Sequence, residues 1–323
     1  PDTPLSILTY ERRWDFDDVI EPWKGYAIYV KRRMAEAPIR LVICPISTIP
    51  RIGKTLAPAE TSAEDWTLQI SAQAGVALDS INYVGARSAA AEEYDDFDRM
   101  EPPVIGDYVS VYVDNEKWTK NPMKYTADFR PTSQETYEWP LRVNSNTASG
   151  EVVLQFSGVA NLPAGFEAYL VDEAYGVARN LRRNPEYRFV AGANGVEKSL
   201  KLLVGKPEAL EKYSNGIALV PKAFELSQNF PNPFAAKFQQ SFTAIRYTLP
   251  KSANVTVEVY NMLGQKVRTL VAGQAQVADY YLATWDGRDE AGKEVSSGVY
   301  VYRLLAESNG ARFSSTKKLL LVK

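Results

Sequence analysis

The residues best able to do chemistry in this sequence are carboxylates. The 323-residue chain has no histidine and a single cysteine. Without histidine it lacks the commonest general base, the usual partner of a serine or cysteine nucleophile, and the commonest catalytic zinc ligand. The one cysteine, Cys44, cannot form an intrachain disulfide, and its apolar run "RLVICPIS" predicts a buried side chain. Catalysis here would therefore have to rest on aspartate and glutamate.

Two carboxylates that converge on one bond can hydrolyse glycosides. Asp15, Asp17 and Asp18 are loop candidates for such a role. Carboxylates in loops are ordinarily solvated, however, and nothing in the sequence marks a pair as buried or converging. The sequence also has no P-loop, no G-x-G-x-x-G after a strand and no G-x-S-x-G elbow. We therefore predict no catalytic residues and no cofactor.

Carboxylates could instead hold a cation, and the first cluster to consider is "EEYDDFD". It contains Glu92, Glu93, Asp95, Asp96 and Asp98. A calcium loop places oxygen ligands at alternating positions around a glycine, and this stretch lacks that glycine. We predict a solvated acidic loop.

The second acidic cluster is "TWDGRDEAG". Asp286, Asp289 and Glu290 surround Gly287 there. Aspartate and glycine are also the residues that tight turns demand. The main prediction is a turn, and a cation held by Asp286 and Asp289 is the alternative.

Composition excludes two classes of partner. Lysine and arginine total 37, aspartate and glutamate total 39, and the net charge is -2. Without a long basic run, nucleic acid is not expected as a partner. No stretch approaches the roughly 20 consecutive apolar residues of a membrane-spanning helix, so the chain is not expected to span a membrane.

The elements that must position these residues are strands. Apolar and polar residues alternate with a period of two in many short runs separated by turn residues. The predicted N-terminal strands are 25–32, 39–46, 66–73, 107–114, 138–145, 151–158, 166–173, 186–192 and 199–205. Residues 15–26 are predicted to be a loop, and 74–106 show no clear period. We predict a β-sandwich or jelly-roll-like region over 1–205 and a linker over 206–225.

A proline-rich stretch, "NFPNPF" at 229–234, precedes the clearest alternation in the chain. Proline fixes φ and removes a backbone donor, so this stretch predicts an extended, kinked lead-in. Six or seven short strands follow, as expected of an Ig-like β-sandwich over 226–323. Trp285, just before the turn "DG", is predicted to be buried in that sandwich.

The C-terminal segment resembles a known family of secreted proteins. The motifs "LSQNFPNPF", "TAIRYTLP", "VTVEVYNMLGQKVRTL", "TWDGRDEAGKEVSSGVYVYRL" and "KKLLLVK" follow one another over 226–323. This segment resembles the type A C-terminal sorting domain of proteins exported by the type IX secretion system. It is also similar to the Ig-like domain of flagellar hook-capping proteins.

The resemblance implies a function for the segment. It implies a signal for export and surface attachment that components of the secretion system at the outer membrane read. The residues that carry the signal would be those of the last strand: Lys317, Lys318, Leu319, Leu320, Leu321, Val322 and Lys323. "NFPNPF" would lie against the first sheet, anchored by Phe230 and Phe234. An extracellular or cell-surface location follows.

Residues 1–205 resemble, more loosely, the β-rich regions that precede this sorting domain in long secreted proteins of the Bacteroidota and neighbouring phyla. "EPWKGYAIYV", "IGDYVSVYV" and "YTADFRP" carry that likeness. A strand usually found upstream of "PWKGY" in such proteins is missing here. The chain also begins "PDTPLSILTYERRW", with neither a starting methionine nor a leader. We therefore expect further residues upstream.

Three functions are compatible with these patterns. The first is a non-enzymatic surface component that self-assembles through strand edges into a filament or layer, with a first strand near Leu5 and Ile7 lent to a neighbour. The second is the stalk of a larger secreted hydrolase. The third is a carbohydrate-binding module, for which the aromatic platforms would come from the six tryptophans: Trp14, Trp23, Trp66, Trp118, Trp139 and Trp285.

Overall fold

The computed structural model describes residues 5–10, 14–16, 25–30, 62–101, 104, 106–147, 150–192, 195–235 and 242–322. For the three ranges before residue 62, the backbone alone is described. Several predictions lie outside the described residues: Cys44, the strand 39–46, Trp23, Asp17, Asp18 and Lys323.

Three short strands near the N-terminus form a sheet of their own. They are β1 (Leu5–Tyr10), β2 (Trp14–Phe16) and β3 (Gly25–Val30). Strand β1 lies in the middle, antiparallel to both neighbours. The strands expected around Leu5 and within 25–32 are confirmed. The predicted loop 15–26 is wrong at Asp15 and Phe16, since both lie in β2 and pair with β1.

Eleven strands form the second and largest sheet. They are β4 (Trp66–Ala74), β5 (Ala77–Arg87), β6 (Arg99–Met100), β7 (Val109–Asp114), β8 (Lys124–Pro131), β9 (Thr136–Ser145), β10 (Glu151–Ser157), β11 (Glu167–Asp172), β12 (Val177–Asn180), β13 (Glu186–Val190) and β14 (Val196–Gly205). Their order is β12-β11-β14-β9-β7-β8-β5-β4-β10-β13, with β6 paired to β8. Within this sheet the described pairings are antiparallel except that of β5 with β8.

Strand β5 was missed because polar side chains occupy its buried positions. Asn82 is 3% exposed and its Nδ2 donates to the carbonyl of Ile70 at 3.2 Å. Arg87 is 1% exposed and donates to the carbonyl of Trp66 at 2.9 Å. Buried polar groups with hydrogen-bond partners cost little, but they break the apolar–polar alternation that marks a strand.

Helices are few and short in the described chain. One α-helix, α1 (Pro207–Leu210), continues into a 3-10 turn (Glu211–Tyr213), and another 3-10 turn covers Val159–Asn161. None of the described helices is long and apolar enough to cross a membrane.

Eight strands build the C-terminal region. They are β15 (Glu225–Leu226), β16 (Phe234–Ala235), β17 (Thr243–Leu249), β18 (Ala253–Tyr260), β19 (Lys266–Gln276), β20 (Asp279–Trp285), β21 (Gly298–Ser308) and β22 (Ala311–Val322). One sheet has the order β15-β17-β20 and the other has the order β16-β22-β21-β18-β19. The prediction of an all-β chain that ends in an Ig-like sandwich is confirmed.

Two hydrophobic cores hold these sheets together. The first is built by the large sheet and also contains Leu210 and Leu219 of the connecting segment and Tyr280 of β20. The second lies between the two C-terminal sheets and contains Trp285 and Tyr302. Because the first core takes in residues from beyond 205, the division into 1–205, 206–225 and 226–323 stays a prediction.

Candidate functional site

At the end of the terminal strand β22, side chains alternate between the core and the surface. Leu319 and Leu321 are 1% and 0% exposed, whereas Leu320 and Val322 are 37% and 43% exposed. Successive side chains of a strand point to opposite faces of its sheet, which explains the alternation. The same four residues therefore stabilise the sandwich and present an apolar surface.

The "NFPNPF" lead-in lies beside this strand. Phe234 and Ala235 form β16 and pair in parallel with Leu321 and Val322. The side-chain carbonyl of Asn232 accepts a hydrogen bond from the backbone N–H of Leu320 at 2.9 Å. The end of β22 is thus held on one side by β21 and on the other by the lead-in.

Asn229 fixes the start of the lead-in from inside the domain. It is 2% exposed, and its backbone N–H donates to the Tyr302 hydroxyl at 2.9 Å. Its Nδ2 donates to the Thr243 hydroxyl at 2.9 Å and to the Pro231 carbonyl at 3.1 Å. Burial raises the pKa of Tyr302 to about 12, so its hydroxyl stays protonated and donates to the Ser227 carbonyl at 2.8 Å.

The two phenylalanines of the lead-in differ. Phe234 is 1% exposed and packs edge-on against Trp285, with ring centroids 5.6 Å apart. Phe230 is 58% exposed, although its backbone exchanges two 2.9 Å hydrogen bonds with Ala244. The prediction that both rings anchor the lead-in is correct for Phe234 and wrong for Phe230. The backbone bridge holds Phe230 in place and leaves its ring at the surface.

Positive charge lies on the same face as Leu320. Lys318 is exposed and has no ion-pair partner among the described residues. Glu258 of β18, two strands away, pairs with Arg303 at 3.0 Å and with Lys266 at 3.5 Å. A hydrogen bond from Tyr260, together with these two cations, lowers the pKa of Glu258. The Glu258 carboxylate is thus already paired with two cations, and Lys318 lies apart from this cluster.

The carboxylates of the predicted turn at 286–289 serve the turn itself. An Asp286 oxygen accepts a bond from the Arg288 N–H at 3.1 Å. One oxygen of Asp289 accepts bonds from the N–H groups of Ala291 and Lys293 at 3.0 and 2.9 Å. Over the described ranges, no three His, Cys, Asp or Glu side chains are grouped so that they could hold a metal ion.

This turn also covers part of an edge strand. The Glu290 N–H donates to the Val267 carbonyl of β19 at 2.9 Å, and the Glu290 carboxylate accepts from the Thr269 N–H at 2.9 Å. The Trp285 indole donates to the Arg288 carbonyl at 2.8 Å and is 1% exposed. The predicted burial of Trp285 is confirmed.

The acidic loop is solvated only in part. Glu93 accepts bonds from Thr119, and these lower its pKa. Asp98 is 4% exposed and accepts bonds from the N–H groups of Phe129 and Asp95 at 3.0 and 2.9 Å. Burial, with smaller contributions from the Asp128 and Asp95 charges, raises the pKa of Asp98 to about 7. The prediction of a solvated loop is wrong at Asp98, which anchors the loop to β8.

One pair of carboxyl groups escaped the sequence analysis. Asp79 accepts a bond from the Val111 N–H at 2.7 Å, and Glu101 accepts one from the Ser110 hydroxyl at 2.6 Å. Burial raises the pKa of both groups, and the charge of Asp79 raises that of Glu101 further. The only signal in the sequence was a polar residue, Asp79, in a stretch without a clear period.

Three of the four tryptophans with described side chains are buried. Trp66, Trp139 and Trp285 are at most 2% exposed. Trp118 is half-buried against Tyr125, with ring centroids 5.1 Å apart. The suggestion of carbohydrate platforms is therefore wrong at Trp66, Trp139 and Trp285, whose rings pack in the interior, and it stays a prediction at Trp118.

A cleft of about 650 Å³ lies where the lead-in faces strand β14. Four aromatic side chains line it, Tyr175, Phe189, Phe230 and Phe242. Lys201, also in the lining, forms ion pairs with Glu173 and Glu138, both at 3.2 Å. Exposed aromatic faces beside fixed polar groups are a common feature of ligand pockets.

One segment of the chain matches a known protein family. Residues 234–310 match the family model of the FlgD Ig-like domain. These residues run from β16 through the whole of β21 and end just before β22, so this part of the C-terminal sandwich is similar to that domain. The match covers less than half of the chain. The comparison with curated proteins found no match.

Three solved structures show partial likeness. FlgD from P. aeruginosa is 26% identical, with 24% of this chain and 61% of that chain covered and a TM-score of 0.22. PorZ, an essential surface component of the type-IX secretion system of Porphyromonas gingivalis, is 13% identical over 56% of this chain and 21% of that chain, with a TM-score of 0.22.

The third is dimeric latent PorU from Porphyromonas gingivalis. It is 12% identical over 80% of this chain and 30% of that chain, with a TM-score of 0.25. The chain thus covers less than two thirds of each of these three proteins. With TM-scores this low, the likeness assigns no function.

Proposed function

We propose that this chain is a non-enzymatic, secreted component of the cell surface, and that residues 226–323 are its signal for export by a type IX secretion system. The sequence resemblance over 226–323 and the FlgD Ig-like match over 234–310 support the proposal. The observation that carries it is the arrangement of the terminal strand.

The terminal strand is suited to be read while the domain stays folded. Leu319 and Leu321 insert into the core and fix the strand's position. Lys318, Leu320 and Val322 then stand on the surface in a fixed order. A partner that recognises an ordered strand loses less conformational entropy on binding than one that recognises a disordered tail.

The non-enzymatic part of the proposal rests on how the described carboxylates are used. Asp286 and Asp289 accept backbone bonds within their own turn. Asp79 and Glu101 hold the N–H and hydroxyl of the adjacent residues Val111 and Ser110, and neither lines the cleft. Each is occupied in a structural role.

Localisation in cells tests the export signal. The full chain and a chain that ends at Glu225 are each placed behind a secretory leader. Both are expressed in a bacterium that has the type IX system and in a matched strain that lacks it. We expect surface or released protein only for the full chain in the competent strain. Equal export of the shorter chain would refute the proposal. Val76→Ser, at an exposed position outside the segment, is the control.

Self-assembly through strand edges is a further part of the proposal. Strand β1 is paired on both sides within its own chain, so it is not free to complete a neighbour's sheet. An edge such as β13, at the end of the large sheet, would have to serve instead. Light scattering tests this: a mass that grows with concentration supports assembly. A monodisperse monomer at high concentration favours the stalk of a larger hydrolase.

A second candidate function is carbohydrate binding in the cleft. The observation that favours it is Phe230, whose exposed ring is held at the cleft by two backbone hydrogen bonds to Ala244. Sugars stack on such rings while polar groups bind their hydroxyls. A glycan array probed with the full chain and with Phe230→Ala tests this. Binding that Phe230→Ala abolishes would support it, and Val76→Ser is the control.

A further inference from the structure

We infer that the partner that recognises the terminal strand β22 docks on a composite surface. The β18–β19 hairpin, distant in sequence, contributes as much to this surface as the strand does. This inference rests on the proposed export function. The surface, called here the end patch, consists of Met262, Leu263, Val299, Lys318, Leu320 and Val322.

The register of the sheet brings these residues to one end of it. Strands β18 and β22 flank β21 and both run antiparallel to it, so their C-terminal ends lie at the same end of the sheet. Tyr260, the last residue of β18, is level with Val301 of β21, which is level with Lys318 of β22. Beyond that level lie the β18–β19 hairpin on one side and the last four residues of β22 on the other.

The surface at this end of the sheet is unusually apolar. Met262 and Leu263 are 61% and 84% exposed, and Val299 is 41% exposed directly opposite Leu320 in the register. Five of the twelve exposed large apolar side chains of the described residues belong to the end patch. Clustered exposed apolar groups mark interaction sites, whereas scattered ones do not.

The hairpin presents its apolar residues in a fixed geometry. The side-chain oxygen of Asn261 accepts bonds from the N–H groups of Leu263 and Gln265, both at 3.0 Å. Gly264 has φ +78°, and its N–H donates to the Asn261 carbonyl at 3.0 Å. The turn therefore needs asparagine and glycine, but nothing in it requires methionine or leucine at its tip. Their exposure has no role in folding.

The charges indicate the chemistry of the partner. Lys318 lies within the patch without an ion-pair partner in the described chain, and Glu258, two strands away on β18, is already paired with Lys266 and Arg303. The matching surface is a protein face with an apolar centre and carboxylates at its rim. A second copy would bring lysine to lysine, which is repulsive. Attraction to an anionic membrane takes about 4–8 clustered basic residues, more than the patch has.

The test measures export of the full chain with variants at the patch. Met262→Ser/Leu263→Ser removes the hairpin contribution, and Lys318→Glu reverses the charge. Val277→Ser and Lys251→Glu are matched controls, because both residues are exposed in the same domain at the opposite end of the sheet. We expect the hairpin and Lys318 variants to reduce the surface fraction about fivefold or more, as the loss of a hot spot would. The controls should export like the parent, and all variants should melt like it.

The outcomes separate this inference from the proposed function. If the chain that ends at Glu225 is exported normally, both are wrong. If that chain is retained while the hairpin variant is exported like the parent, only the composite surface is wrong. Two further measurements, made on the parent and on the hairpin variant, test whether a lipid surface or a second copy of the chain binds the end patch instead. If the parent sediments with phosphatidylglycerol vesicles and the hairpin variant does not, the inference is overturned in favour of a lipid surface. Parent-specific dimerisation in light scattering would overturn it in favour of a second copy.

Discussion

Arg179 of β12 and Asp279 of β20 form a buried ion pair across the contact between the large sheet and the C-terminal sandwich. The Arg179 guanidinium lies 3.4 Å from Asp279, and their side chains are 10% and 1% exposed. Asn184 adds a hydrogen bond to the same Asp279 oxygen at 2.7 Å. Arg246 of β17 donates to the Gly176 carbonyl at 2.7 Å nearby. The two parts of the chain are therefore joined by specific polar contacts as well as by Tyr280.

Asp279→Ala is expected to lower the free energy of unfolding by about 3–5 kcal/mol, because it leaves the Arg179 charge buried and unpaired. Urea unfolding measures this. The control is Glu151→Ala, which breaks a pair with Arg188 that is half exposed and worth about 0–1 kcal/mol. An Asp279→Ala protein that unfolds at the same urea concentration as the parent would contradict the prediction.

Trp285→Ala is expected to destabilise the C-terminal sandwich by about 3–5 kcal/mol, the usual cost of emptying a large core site. Trp285→Phe keeps most of the contact with Phe234 and Tyr300 but loses the indole bond to Arg288. It should cost less than the alanine variant. Thermal melting ranks the two. If Trp285→Ala and the parent have the same melting temperature, the Trp285 ring does not stabilise the core.

Asn229 and Tyr302 should be energetically coupled. Each single change, Asn229→Ala or Tyr302→Phe, removes partners from a buried network and should cost about 1–3 kcal/mol. In a double-mutant cycle the coupling should reach about 0.5–3 kcal/mol, because the side-chain bonds of Asn229 to Thr243 and Pro231 hold in place the Asn229 backbone N–H that donates to the Tyr302 hydroxyl. Additive losses would show that the network does not act as a unit. Gln228→Ala, which removes the exposed bond to the Lys318 carbonyl, is the control for the lead-in.

Stability should depend on pH through Asp98. Burial raises its pKa from 3.8 to about 7, so between these values the folded state binds the proton more tightly than the unfolded state. Its contribution is therefore most favourable below about pH 4 and declines as the pH rises through 7, by up to about 4 kcal/mol. In Asp98→Asn this decline should be absent. The measurement is urea unfolding of parent and variant between pH 4 and 8.

The parent-minus-variant difference isolates Asp98 from other titrating groups. Asp96→Asn, at an exposed position two residues away, controls for the loss of one carboxylate from the same loop. Identical pH dependence of the parent and Asp98→Asn would show that Asp98 is ionised in the folded protein over this whole range.

Turnover is not expected from the purified chain. Peptide, ester and glycan substrates should be left intact, because the paired carboxyls Asp79 and Glu101 are committed to structural bonds. Turnover that Glu101→Gln or Asp79→Asn abolishes would overturn the non-enzymatic proposal. Asp114→Asn, which breaks a partly exposed ion pair with Arg142 in the same sheet, controls for general destabilisation.

Local pattern was enough to predict most strands. In β9 and β18 one face of the strand is buried and the other faces solvent. Apolar and polar side chains therefore alternate, and this alternation predicts the strand from the sequence. Strand β5 could not be predicted in this way, because Asn82 and Arg87 are buried against hydrogen-bond partners that lie on another strand. A residue's polarity shows its hydration preference, whereas its burial depends on which groups the fold brings to it.

Sequence alone determined that the chain is all-β, that Trp285 is buried beside a turn and that the segment 226–323 is Ig-like. It did not distinguish Phe230 from Phe234, two identical residues four positions apart. Nor did it distinguish Leu320 from Leu319 and Leu321, since a run of leucines has no alternation to interpret. Phe234 is paired with Leu321 of β22, whereas Phe230 is bridged to Ala244 of β17. The leucines were sorted by the pairing of β22 with β21, which sets Leu321 opposite Gly298 and so directs alternate leucines to the core and to the surface. Because a strand has a period of two, a shift of one residue would have reversed every one of them.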